Sequence, residues 1–173
     1  MKIKKAIILL TILIVAIVLI YNYYPEQKLP ENSEVDLLVV HKSENKLMAY
    51  ADGKLLKTYQ ISLGDAPIGH KEFEGDEKTP EGIYTINAKN DKSGYHKNLG
   101  VSYPNEKDIE HSKLIGKAPG GDIKIHGLKN GLGIINKFQR LKNWTNGCIA
   151  LTNSEVDELF ASVKIGTRIE IKP

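Results

Sequence analysis

Hydrophobic and polar positions divide the 173-residue chain into three stretches of different pattern. Behind Lys2, Lys4 and Lys5, an almost unbroken apolar run extends from Ala6 to Ile20 and closes on Tyr21-Asn22-Tyr23-Tyr24. The run is short against the roughly 20 residues a full span requires, but tyrosines suit a membrane interface and lysines the cytoplasmic side. No small-residue cleavage site of the Ala-x-Ala kind follows it, so residues 1–24 read as an uncleaved signal anchor and the rest as extracytoplasmic, single-pass anchored. Residues 25–34 carry Pro30 and polar side chains without an apolar period, which predicts a linker. The folded domain is expected over 35–173.

Within that domain the period is mostly two. Val35–His41, Lys46–Ala51 and Lys54–Leu63 read as three strands of a meander, with Asp52-Gly53 as the second turn. A long loop punctuated by Pro67, Gly69, Gly75, Pro80 and Gly82 leads to a strand at Ile83–Ile86, and loops of this length are usually functional. Leu99–Tyr103 reads as a strand stopped by Pro104. Asp122–His126 follows the turn Pro119-Gly120-Gly121, and there Ile123 and Ile125 share one face while His126 falls on the other. Ile134–Leu141 predicts a short helix. Thr152 and Glu155 form a capping-box pair that predicts a helix over Glu155–Val163, ended by Gly166 and followed by a strand at Arg168–Ile171. The expected fold class is mainly β, a sandwich or mixed sheet with a few short helices.

Charge narrows the function classes. The chain has 24 Lys plus Arg and 21 Asp plus Glu. Three of the cations lie in the anchor and none of the acids does, so the exported part is formally neutral. A neutral domain lacks the basic surface that displaces counterions from phosphates, and nucleic acid is set aside as a partner. His41, His70, His96 and His111 are scattered, without a pair at metal-binding spacing, so no metal or organic cofactor is expected.

The single cysteine, Cys148, cannot form an intrachain disulfide, and an unpaired thiol outside the cytoplasm needs a use or a burial place. It lies in Trp144-Thr145-Asn146-Gly147-Cys148-Ile149, with Ile125-His126-Gly127 beginning 23 positions upstream of it. A free thiol is only a few per cent thiolate at neutral pH, and an imidazole can take its proton. Gly147 permits a tight turn whose successive N–H groups converge on one point, the way an oxyanion hole is built.

These residues, with Asn153, resemble the catalytic domain of the L,D-transpeptidases, the YkuD family. Leu63-Gly64, Lys78-Thr79-Pro80-Glu81-Gly82, Tyr103-Pro104-Asn105 and Pro119-Gly120-Gly121 resemble family landmarks in the expected order, so the likeness spans Val35 to the C-terminus. The resemblance implies Cys148 as nucleophile, His126 as base and the Gly127 carbonyl as the group orienting the imidazole. It also implies the N–H groups of Asn146, Gly147 and Cys148 as an oxyanion hole, with Thr145 steadying the turn and Trp144 and Asn153 in support. Two positions depart from the common pattern: Asn146 stands where His is usual, and Ala150 where Arg is frequent. The implied partners are peptidoglycan stem peptides and the membrane, and no cofactor is implied. The implied reaction is attack of Cys148 on the L-centre carbonyl of a tetrapeptide stem, release of D-alanine, and transfer of the thioester to an amine. Hydrolysis of stem-linked bonds and a catalytically silent peptidoglycan-binding module are the alternatives.

Overall fold

The computed structural model describes residues 2–173. One helix, α1 (Lys2–Tyr23), precedes the domain; its 22 residues reach about 33 Å at about 1.5 Å each. By length and composition it suffices to cross a bilayer. The domain is an eight-stranded mixed sheet of β1 (Val35–His41), β2 (Lys46–Ala51), β3 (Lys54–Gln60), β4 (Gly82–Ser93), β5 (His96–Val101), β6 (Lys124–His126), β7 (Ile149–Ala150) and β8 (Val163–Lys172), in the order β3-β2-β1-β8-β4-β5-β6-β7. Two further helices are α2 (Glu106–Leu114) and α3 (Asn153–Ser162). The expected fold class holds, and so does the antiparallel meander β1-β2-β3.

Alternation builds the core. Leu38, Val40, Leu47, Ala49 and Tyr59 project from the meander to meet Ile169 and Ile171 of β8, all nearly inaccessible to solvent. Strand β4 belongs to both halves of the sheet: Gly82–Thr85 pairs with β8, and Ile86–Ser93 pairs with β5. Helix α3 starts at the expected capping box, where Thr152 Oγ1 accepts from Glu155 N and the Glu155 carboxylate accepts from Thr152 N. It buries Val156 and Leu159 in the same core.

Four boundaries differ from the sequence expectation. β3 leaves its ladder at Gln60, and Ser62 instead exchanges both backbone hydrogen bonds with Ala150, at 3.0 and 2.8 Å. β4 runs seven residues past Ile86, through polar positions that hold their strand by pairing with β5 rather than by an apolar face. β5 is Leu99–Tyr103 displaced towards the N-terminus: it runs His96–Val101, and past its end Ser102 still donates to Thr85 O while the Tyr103 hydroxyl turns to Pro119 O. The last helix stops at Ser162, and Gly166 (φ +93°) lies inside β8, where four residues bulge out between the pairs Val35–Val163 and Leu37–Arg168. Helix α2 was not expected: Asn105 and Asp108 cap it reciprocally, but its buried side chains are Asp108 and Ser112, so it has no apolar stripe to read. Ile134–Leu141 falls within a 3₁₀ segment, Gly133–Leu141, kinked at Asn136.

Candidate active site

Two short parallel strands fix the site. β6 and β7 pair with Ile125 opposite Ile149 and His126 opposite Ala150. Side chains alternate with a period of two, and paired residues project to the same side. Ile123, Ile125 and Ile149 therefore enter the core, while Lys124, His126 and, one step before β7, Cys148 share the opposite face. His126 lies on the face opposite the isoleucines, as its spacing in the sequence requires.

The imidazole of His126 is buried between rings, 4.8 Å from Tyr95 and 5.8 Å edge-on from Trp144. Its Nδ1 lies 2.7 Å from Gly127 O. A carbonyl can only accept, so Nδ1 carries the proton and Nε2 presents a lone pair. Gly127 is glycine for space, since a Cβ there would stand 2.7 Å from Asn153 Oδ1. That oxygen accepts from Leu128 N at 2.8 Å, so Asn153 holds the loop that orients the histidine. Trp144 is tied by its Nε1, which donates to Gln139 Oε1 at 3.1 Å.

The turn carrying Cys148 is held from three sides. Leu63 O accepts from both Trp144 N and Thr145 N, and Thr145 O accepts from Asp65 N. The Thr145 hydroxyl donates to Cys148 O at 2.7 Å and accepts from Gly147 N at 3.2 Å. Gly147 (φ +121°) packs so closely on the 78–82 loop that a Cβ would stand 2.5 Å from Lys78 O, and a Cβ on Gly64 would overlap Glu77 O. Thr79 Oγ1 accepts from Gly64 N, and the buried Lys42 ammonium locks that loop through Thr79 O at 2.8 Å and Glu81 Oε1 at 2.8 Å. Of the three N–H groups in the turn, Gly147 N is thus occupied, whereas those of Asn146 and Cys148 make no hydrogen bond among the described residues. Asn146 is exposed and Ala150 fully buried.

Cys148 is half-buried, with Sγ 3.7 Å from Asp122 O. Burial pushes the thiol above its ordinary value, against the lowering by the Lys124 backbone and ammonium. Burial likewise depresses the His126 imidazolium, and the Gly127 hydrogen bond only partly offsets this. At neutral pH the two groups therefore rest as a thiol and a neutral imidazole rather than as a preformed ion pair. A mainly apolar groove of 280 Å³ opens beside Tyr95 and Trp144, with Leu128, Leu132, Ile135 and Phe138 in its walls. A larger hollow of 720 Å³ contains neither Cys148 nor His126. Its polar groups bond one another, as Asp108 accepts from the Tyr84 hydroxyl and pairs with His70.

Lys42, Gln139 and the ring of Tyr95 over His126 carry no local signal of these roles. The partners of Lys42 and Tyr95 lie tens of residues away in the chain, and the bond from Trp144 to Gln139, though five residues long, crosses the end of the 3₁₀ segment. The landmark Lys78–Gly82 was visible, but its use as a backstop for the Cys148 turn required the structure.

Fold and site together define a domain of Cys/His type built on a mixed sheet. The profile of the L,D-transpeptidase catalytic domain, YkuD, matches residues 36–171, and the chain belongs to this family. Among its relatives, YqjB of Bacillus subtilis (strain 168), which bears a provisional L,D-transpeptidase name, is 30% identical over 138 residues, covering 78% of this chain and 69% of YqjB. YafK of Escherichia coli (strain K12), provisionally named likewise, is 30% identical over 112 residues, covering 64% of this chain. Among solved structures, the helical cell shape determining protein Pgp2 of Campylobacter jejuni superposes with a TM-score of 0.57 at 27% identity, over 82% of this chain. The chain spans 38% of YafK and 49% of Pgp2.

Proposed function

We propose that the protein is a peptidoglycan L,D-transpeptidase, hung outside the membrane by α1, with Cys148 as its nucleophile. The observation that carries this reading is the β6–β7 pairing, which puts Cys148 on the face of His126 while Gly127 O keeps the imidazole proton on Nδ1. Membership of the L,D-transpeptidase catalytic-domain family and the L,D-transpeptidase names of two relatives support the reaction class, and with it stem peptides as the substrate.

In the proposed reaction Cys148 Sγ attacks the L-centre carbonyl of a tetrapeptide stem as its proton passes to His126 Nε2. The carbonyl oxygen, now negative, is met by the N–H groups of Asn146 and Cys148, both free of other bonds. Collapse breaks the bond to D-alanine, whose nitrogen takes the proton from the imidazolium, and a thioester remains. An incoming amine attacks the thioester, forms a new amide and returns the thiol. Asn146 contributes its backbone here, so the absence of the usual histidine side chain removes no group from these steps. Lys124, two residues before His126 and on the same face, is a cation that a substrate carboxylate would share with Asp122, where Ala150 offers none. Its ammonium pairs with Asp122 Oδ2 at 2.7 Å.

The test is product analysis by mass spectrometry after incubating the full chain in detergent with disaccharide-tetrapeptide. Release of D-alanine with a cross-linked dimer supports transpeptidation. A tripeptide stem without dimer assigns the same thiol to hydrolysis, and unchanged substrate with every tetrapeptide donor contradicts the enzymatic reading.

A further inference from the structure

The domain grips the end of α1 at one place, the 3₁₀ segment Gly133–Leu141. The last turn of an α-helix leaves carbonyls without intrahelical partners. Here the domain supplies donors: Asn136 Nδ2 donates to Asn22 O at 2.6 Å and Lys137 Nζ to Tyr24 O at 2.7 Å. In return the Asn22 amide and the Tyr23 hydroxyl donate to Ile134 O, at 3.4 and 3.2 Å. Just past the helix, Arg140 forks the Glu26 carboxylate at 2.7 and 3.0 Å and also holds Glu155 at 2.7 Å. That guanidinium keeps the Glu26 carboxyl ionised, its pKa lowered to about 2. Asn136 adopts φ 46°, ψ −122°, a conformation that is strained for a non-glycine residue. The strained residue is the one whose amide reaches the helix end.

The same segment exposes apolar side chains. Ile134, whose carbonyl bonds the end of α1, is 74% exposed, and Leu132 is 46% exposed. If α1 spans a bilayer, its tyrosine-rich end lies at the interface, and Ile134 lies at that level with it. The adjoining groove is lined by Lys129 and Lys142 and by no carboxylate, the charge that suits phosphate headgroups. Trp144, an aromatic suited to interfacial depth, is in its wall.

We infer that this face is a membrane seat: residues 132–141 rest in the outer-leaflet interface of the bilayer that α1 enters, against an anionic phospholipid surface, and the groove beside Trp144 opens there. The inference rests on α1 being a membrane anchor. The catalytic turn then works at a fixed, low height above the lipid, on stem peptides close to the membrane surface.

Trp144 is the only tryptophan among eight tyrosines, so emission excited at the red edge, where phenols do not absorb, reports this face alone. The full chain is reconstituted in vesicles of phosphatidylcholine and phosphatidylglycerol, with or without lipids brominated high on the acyl chain, and recovered by flotation. The expected result is a loss of Trp144 emission in brominated vesicles, reversed in the double variant Leu132→Asp, Ile134→Asp, which still floats because α1 is intact. Both substitutions fall on exposed positions, and an unchanged circular dichroism spectrum shows the variant folded. A wild-type chain that floats without quenching overturns the seat and leaves the anchor standing. A chain that does not float overturns the anchor and the seat with it.

Discussion

Replacing His126 by alanine is expected to lower the rate of acylation by tetrapeptide about 100- to 10,000-fold, the usual worth of a positioned general base. The effect follows from the resting state of the pair. The Cys148 thiol is held protonated by burial, so in the proposed mechanism the nucleophile exists only as its proton leaves, and the Nε2 lone pair left by the Nδ1 bond to Gly127 O is the proposed acceptor. The pH dependence separates a base from a merely packed ring. Burial lowers the imidazolium below its ordinary 6.5, so wild-type acylation should hold from neutral pH down to below 6.5 and then fall as Nε2 is protonated. In His126→Ala the thiol must ionise unaided. Its residual rate should climb about tenfold per pH unit up to a thiol value raised above the ordinary one. A variant with a pH profile parallel to the wild type would show that His126 only fills space between Tyr95 and Trp144.

Gly147→Ala should cost about 100-fold in the same rate, because an approximately 1 Å displacement of reacting groups has that effect. Two physical causes act together: φ at Gly147 is +121°, which an L side chain rarely adopts, and the new Cβ would stand 2.5 Å from Lys78 O. The 78–82 loop cannot retreat freely, since the buried Lys42 ammonium is bonded to Thr79 O and Glu81. The turn must open instead, carrying Cys148 and the N–H groups beside it out of place. Gly166→Ala is the control. It also has a positive φ, +93°, but nothing lies within 4 Å of its Cβ position, so it should lose about 1 kcal/mol of stability and keep its acylation rate. Equal acylation losses in both variants would mean that backbone strain, and not site geometry, governs the rate.

How much of this was legible in the sequence depends on the range of the interaction. Asp52-Gly53 marks a hairpin, and Thr152 with Glu155 marks a helix start, because both signals act within four residues. The face of His126 was legible from Ile123 and Ile125 because a strand repeats every two residues. The departure of Ser62 from β3 to pair with Ala150 was not, since nothing local distinguishes it from a strand continuing through Leu63. Helix α2 escaped because its inward side chains, Asp108 and Ser112, are polar and serve Tyr84 and a backbone carbonyl. The start of β8 was misplaced because Gly166, an ordinary helix stop by type, sits instead in a bulge. The occupied N–H of Gly147 depends on the rotamer of Thr145, which a motif does not carry.

Whether Cys148 carries the acyl group is read from intact-mass spectrometry of the full chain after brief exposure to disaccharide-tetrapeptide. The predicted result is a protein heavier by the donor lacking its terminal D-alanine, with the mass located on Cys148, removable by hydroxylamine and absent from Cys148→Ala. An adduct on another residue, or D-alanine release that persists in Cys148→Ala, would contradict the account.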